Sequence, residues 1–258
     1  MSPARLAARS LTVGYGQDPV LRDLDLEIPA DRVTTLIGPN GCGKSTLLKS
    51  LCGLLPYRGA VELAGEDLQG IRRTDRARRL TMLPQAPVAP EGLTVAGLVA
   101  RGRHPHQSWM SRWSSQDEEG VRQALQATGL SHLGTRPVSA LSGGQRQRVW
   151  IAMALAQDTP TLLLDEPTTY LDLAYSIEVL RLVRGLQLEQ GKTVVMVLHD
   201  LNLAIRFSDH LVALCDGRVA AQGVPADVVT PRLLRDVFGL DALVVPDPVT
   251  DGPLVVPR

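Results

Sequence analysis

Two hydrophobic rhythms run along the chain. Leu24-Asp25-Leu26-Glu27-Ile28 and Ala60-Val61-Glu62-Leu63-Ala64 place apolar residues at every second position, the latter bounded by Gly59 and Gly65. Period two with polar intervals predicts half-exposed antiparallel strands. Thr34 to Ile37, Leu162-Leu163-Leu164 and Thr193 to Leu198 are instead continuous runs of apolar or β-branched residues. Such runs are expected of parallel strands covered on both faces. Each ends in polar residues able to do chemistry, and in α/β sheets ligands collect at the carboxyl ends of the strands. The loop after Ile37, the pair Asp165-Glu166 and His199 are therefore expected along one edge of a sheet.

Helical signals fill the intervals. Thr46 to Leu51 follows a glycine-rich loop, and Asp117 to Leu125 is amphipathic. Ser142-Gly143-Gly144-Gln145 has the form of a capping box before a helix of roughly 146–157. Between Arg101 and Arg136 no strand pattern is convincing, which predicts a helical insert in an α/β core. Near the end, Thr230-Pro231 signals a helix start. Two short apolar runs, 243–246 and 254–257, flank the turn signal Asp251-Gly252.

Composition narrows the classes. The chain has 258 residues, 44% of them hydrophobic, enough for one large domain or a core with a subdomain. Formal net charge is zero, so charge alone gives no reason to expect nucleic acid. No apolar signal segment follows the N-terminus, and the longest apolar runs are too short to span a bilayer. A soluble cytoplasmic chain is the expectation. Cys42, Cys52 and Cys215 lack metal-site spacing and read as reduced thiols.

The chemistry concentrates in a few segments. Gly38-Pro39-Asn40-Gly41-Cys42-Gly43-Lys44-Ser45-Thr46 fits the phosphate-binding pattern G-x-x-x-x-G-K-[ST] between a strand and a helix. Its glycines let backbone N–H groups face phosphate oxygens, and the helix N-terminus adds positive dipole. Lys44 is expected to reach the β/γ-phosphates, and Ser45 to sit on Mg²⁺. Of 27 basic residues only Lys44, Lys49 and Lys192 are lysines. Lysine therefore stands where a compact ammonium must fit beneath a phosphate. Cys42 lies beside that helix N-terminus, which favours its thiolate and predicts inhibition by thiol reagents with protection by MgATP. Downstream, Asp165 is placed to orient Mg²⁺ through its water shell and Glu166 to polarise the attacking water. Gln85 supplies an amide able to reach metal or water. A lone histidine is more often structural, but His199 follows a buried strand into the same edge.

Taken together, these residues resemble the nucleotide-binding subunit of ABC transporters. Gly38 to Thr46 is similar to its Walker A motif, Leu141-Ser142-Gly143-Gly144-Gln145 to the signature, and Leu162 to Glu166 to Walker B. Leu171-Asp172 resembles the D-loop, Gln85 the Q-loop, His199 the H-switch, and Tyr15 the aromatic residue that stacks on adenine. The resemblance covers essentially the whole chain. It implies an α/β fold with a P-loop NTPase, RecA-like core (1–85 and 158–258), an antiparallel β subdomain and an inserted α-helical subdomain at about 86–157. It also implies ATP and Mg²⁺ as ligands. The implied partners are a second copy arranged head to tail, membrane permease subunits and, indirectly, a periplasmic or lipoprotein substrate-binding protein. The implied place is the cytoplasmic face of the membrane, peripherally.

The segments Arg101 to His106, Gly144 to Ala154, Asp165 to Leu173 and Pro225 to Pro257 resemble importers of ferric siderophores, haem and vitamin B12. Tyr170 departs from the small residue common in the wider family but agrees with the siderophore group, so a ferric siderophore is the expected cargo. Haem or vitamin B12 is the alternative. His104 and His106 lack a third ligand nearby and read as a surface loop beside the permease, not a metal site. A soluble ATPase of the same class acting on DNA or ribosomes would carry coiled coils or zinc modules between its motifs, or a second cassette; here Gln85 to Leu141 leaves room only for a small helical insert, the sequence shows no cysteine cluster, and it carries one cassette. A P-loop kinase would not explain the signature or His199.

Overall fold

The computed structural model describes residues 4–258 except 17, 86, 88, 108–112 and 170. Its centre is a six-stranded sheet of β3 (Val33–Ile37), β6 (Leu80–Leu83), β7 (Thr161–Leu164), β8 (Thr193–Val197), β9 (His210–Cys215) and β10 (Arg218–Gly223). The order is β10-β9-β3-β8-β7-β6. All neighbours are parallel except β10, which returns antiparallel on β9. A second, antiparallel sheet orders β1 (Ala4–Gly14), β2 (Pro19–Pro29), β4 (Arg58–Leu63) and β5 (Glu66–Asp67) as β2-β1-β4-β5.

The burial of successive residues explains the continuous apolar runs. Along β8, Val194 and Met196 join one apolar cluster while Val195 and Val197 join another. Along β7, Leu162 and Leu164 divide from Leu163 in the same way. Side chains alternate across a strand, so both faces of this sheet are dry. One face packs on the antiparallel sheet and on α1 (Lys44–Leu51), through residues such as Leu26, Ile28, Leu47 and Leu51. The other packs on helices α3 (Val95–Ala100), α4 (Ser115–Ala127), α5 (Gly143–Ala156) and α6 (Leu173–Gln190). In β2, by contrast, Leu24, Leu26 and Ile28 are buried and Asp25 and Glu27 exposed, as period two requires.

Helices α3 to α5 lie between β6 and β7 in sequence, and no strand is present over 101–136 among the described residues. They share their apolar cluster with the sheet. Arg101–His106 is a 3₁₀ turn seated against α5, with His104 exposed and His106 half-buried. Gly102 is pressed so closely to the Met153 carbonyl that a Cβ there would lie 2.2 Å from its oxygen. Arg103 is buried, donates to the Ala156 carbonyl at 2.8 Å and pairs with buried Asp117 at 3.0 Å. His106 lies 2.7 Å from the Gln157 carbonyl.

Short helices α2 (Arg73–Ala77) and α8 (Pro225–Val228) and helices α7 (Leu201–Phe207) and α9 (Pro231–Phe238) complete the periphery. The tail ends in a hairpin of β11 (Ala242–Pro246) and β12 (Pro253–Pro257). Among the described residues no helix is long and apolar enough to cross a membrane.

Candidate functional site

β3, β8 and β7 are adjacent and parallel, so their carboxyl ends deliver the loop 38–43, His199 and Asp165-Glu166 to one edge. β6 adds Gln85 beside them. The loop turns by left-handed glycines, with φ of +148° at Gly38, +80° at Gly41 and +104° at Gly43. At Gly38 a Cβ would lie 2.3 Å from the Leu214 carbonyl oxygen, so both its conformation and its space demand glycine. Gly43 caps α1 with no side-chain oxygen, which leaves the first amides of that helix for an anion.

Lys44 is buried, and its Nζ donates to the carbonyls of Gly38 and Pro39, both at 2.8 Å. Among the described residues no carboxylate forms an ion pair with it; Asp165 is near enough to feel its charge but does not touch it. Ser45 Oγ donates to Asp165 Oδ1 at 3.0 Å. Asp165 is 1% exposed. Burial first, and the neighbouring charge of Glu166, push its carboxyl above the usual range despite the Ser45 hydrogen bond. A buried carboxylate beside a hydroxyl, without a cationic partner, fits a hard cation that takes its remaining oxygens from phosphates and water, as Mg²⁺ does. The buried ammonium without an ion-paired carboxylate, the cap-free helix start and the glycine turns fit the phosphates of ATP.

Three side chains hold Glu166. Its Oε1 receives His199 Nε2 at 2.6 Å. Its Oε2 receives Gln85 Nε2 at 2.6 Å and Thr169 Oγ1 at 2.9 Å. Burial alone would raise its pKa. The hydrogen bonds from His199, Thr169 and Gln85 and the charge of His199 outweigh that and hold it below the usual carboxylate range. Its backbone lies at φ +53°, a conformation unfavourable for a residue with a Cβ. Asn40, Gly41, Lys44, Gln85, Glu166 and His199 are among the residues around a cleft of about 380 Å³. A protonatable base, a buried ammonium and an oxygen pair for a cation thus face one volume, which is the equipment for attack of water on a bound phosphate.

The remaining candidates lie at the edge of the cleft or outside it. Tyr15 is 64% exposed, its hydroxyl 3.5 Å from Thr46 Oγ1 at the edge of the cleft. Ser142 to Gln145 line no part of that cleft. Ser142 accepts from the Gln145 N–H at 3.2 Å, and the Gln145 side chain accepts from the Ser142 N–H at 3.1 Å, which starts α5 at Gly143, three residues before the expected start. Asp172 caps α6 by accepting from the Tyr175 N–H at 3.0 Å. Tyr170 lies outside the described residues.

One expectation is overturned. Cys42 is buried at 6% exposure, and burial pushes its thiol up more than the Lys44 ammonium and nearby amides pull it down. Burial therefore favours the thiol over the expected thiolate. Two contacts escaped the sequence reading. Thr169 reaches Glu166, and buried Gln147 on α5 donates to the Pro167 carbonyl at 3.1 Å, tying that helix to the Glu166 turn. A hydroxyl three residues after the glutamate was the only signal for the first; nothing local signals the second.

Comparison with known proteins agrees with this geometry. A family model described as ABC transporter matches residues 21–169. The chain is 55% identical over 253 residues to the achromobactin transport ATP-binding protein of Dickeya dadantii (strain 3937), covering 98% of this chain and 94% of that protein. It is 50% identical over 257 residues to the ferric enterobactin transport ATP-binding protein of Escherichia coli (strain K12), covering 99% and 95%. Among solved structures, a chain assigned to a metal-chelate type ABC transporter in an inward-facing conformation superposes with a TM-score of 0.84 at 28% identity, covering 98% of this chain and 96% of that one.

Proposed function

The chain belongs to the ABC transporter family, and we propose that it is the ATP-hydrolysing motor of an importer of ferric siderophores, held by permease subunits at the cytoplasmic face of the membrane. The observation that carries the reading is Glu166: an acid held below the usual carboxylate range, opening on the phosphate cleft, one residue from the Asp165–Ser45 pair.

In this reading Lys44 and the amides of residues 38–46 hold the β/γ-phosphates, and Tyr15 stacks on the adenine. Ser45, Gln85 and Asp165 would hold Mg²⁺, which would neutralise phosphate charge when bound. Glu166 accepts a proton from the attacking water on Oε1, the oxygen that His199 holds until the water takes its place. Ser142, Gly143, Gly144 and Gln145 present a helix N-terminus away from their own cleft. That supports a head-to-tail pair in which they, with Asp172 from the D-loop, complete the cleft of a second copy.

The cargo is supported by the names of relatives at 50% and 55% identity, one for achromobactin and one for ferric enterobactin, over nearly the whole chain. The similarity therefore extends well past the phosphate site, into the helical insert and tail. Haem or vitamin B12 is the competing cargo.

The test is uptake of radiolabelled ferric siderophore in a strain lacking this subunit, complemented by wild type or by Glu166→Gln. Wild type is expected to restore uptake and Glu166→Gln to leave it at least tenfold lower, since a general base contributes about 10²–10⁴ in rate. Equal rescue by both would remove Glu166 from the mechanism. Unchanged siderophore uptake in the deletion strain, with haem or B12 uptake lost, would replace the cargo and leave the motor.

A further inference from the structure

We propose that Thr169 is a positioning residue for Glu166, its hydroxyl holding the carboxylate towards the water when the other two donors change partners. The inference rests on the reading of Glu166 as the base.

The three donors on Glu166 differ in kind. Gln85 comes from the loop after β6 and is exposed; His199 comes from the loop after β8 and its side chain is 48% exposed. Either can swing away by a side-chain rotation, and the proposed work of Gln85 on Mg²⁺ requires it to leave Oε2. Thr169 cannot leave so readily. It stands in the same turn as Glu166, with its own N–H donating to the Glu166 carbonyl at 3.2 Å while its hydroxyl donates to Oε2 at 2.9 Å. The two groups therefore move as one unit. Its branched Cβ restricts χ1, so few rotamers compete with the bonded one.

The backbone makes such a tether necessary. Glu166 sits at φ +53°, so the strand direction of β7 does not by itself aim its side chain. The neighbouring Thr168 has the same side chain, yet it makes no hydrogen bond to Glu166; its carbonyl accepts from the Leu171 N–H at 3.2 Å instead. The role belongs to one hydroxyl in a Thr-Thr pair. A donor retained on Oε2 after Gln85 departs keeps one carboxylate oxygen occupied and presents the other.

Steady-state ATP hydrolysis by the full chain tests this, with Thr169→Val, Thr169→Ala, Thr169→Ser and Glu166→Gln measured side by side. A hydrogen bond to a charged group converts to a rate factor of about tenfold or more. Thr169→Val and Thr169→Ala should lose about that much in kcat with KM for ATP within roughly twofold of wild type. Thr169→Ser, which keeps the hydroxyl, should recover most of the loss. Wild-type kcat in Thr169→Val or Thr169→Ala, or a Ser variant as slow as both, would overturn the proposal. So would a rise in KM at constant kcat. Glu166→Gln separates the two readings. If it turns over like wild type, the base assignment falls and Thr169 with it. If it is inactive while Thr169→Val and Thr169→Ala are normal, only the role of Thr169 falls.

Discussion

Cys42 stands two residues before Lys44, yet its surroundings favour the thiol. The sulfur lies 3.8 Å from the ammonium, but burial outweighs that attraction. Cys52 is pushed up to about 11 by burial, and Cys215 is raised by burial and by Asp216 beside it. Alkylation of the native protein at neutral pH, read by mass spectrometry, should label Cys42 at least roughly tenfold more slowly than in the denatured chain. MgATP should change that little. Rapid native labelling of Cys42, blocked by MgATP, would contradict the burial argument. At this scale the phosphate loop was legible, because its chemistry is written in consecutive residues. The environment of Cys42 was not, since it depends on Gly38 and on Leu214 of a distant strand. Nor was the left-handed backbone at Glu166.

At the scale of elements, local signals set most starts and stops. Ser114 and Asp117 cap α4 reciprocally, and Ser142 and Gln145 do the same for α5. Thr230 caps α9 by accepting from the Leu233 N–H, and Pro231 opens that helix. β1 was harder to read. Its register on both neighbours shifts between Ala8 and Thr12, and Ser10 sits at φ +46°, so its bulges break the period of two. The surface position of His104 in the 3₁₀ turn of residues 101–106 was legible, but the buried pair of Arg103 with Asp117 that seats the turn was not, because that contact is remote in sequence. Asp117 is held below the usual carboxylate range: burial opposes ionisation, but bonds from Ser114 and Arg103 prevail. Asp117→Asn should cost about 3 kcal/mol, since it leaves a buried guanidinium unpaired and weakens a cap. Chemical denaturation of the full chain measures this. A loss below about 0.5 kcal/mol would mean the pair is solvated in solution.

At the scale of the whole molecule, parallel strands buried on both faces bring the chemistry to one edge. Strand type and that edge were legible from the apolar runs of 34–37, 162–164 and 193–198. The sheet order, which seats His199 between the phosphate loop and Glu166, was not, because order depends on crossovers that pattern alone leaves open. The signature residues stand apart from their own cleft, so a second copy is needed to finish the ATP site. Mixing a Lys44→Ala chain with a Ser142→Arg chain tests that requirement most directly. A dimer of the two has one doubly broken site and one intact site, whereas each variant alone has only singly broken sites. Size-exclusion chromatography with ATP and Mg²⁺ should show dimers in the mixture and monomers for either variant alone. Equal failure of the mixture and of both variants, under conditions in which the wild-type chain dimerises, would contradict a site shared between two copies.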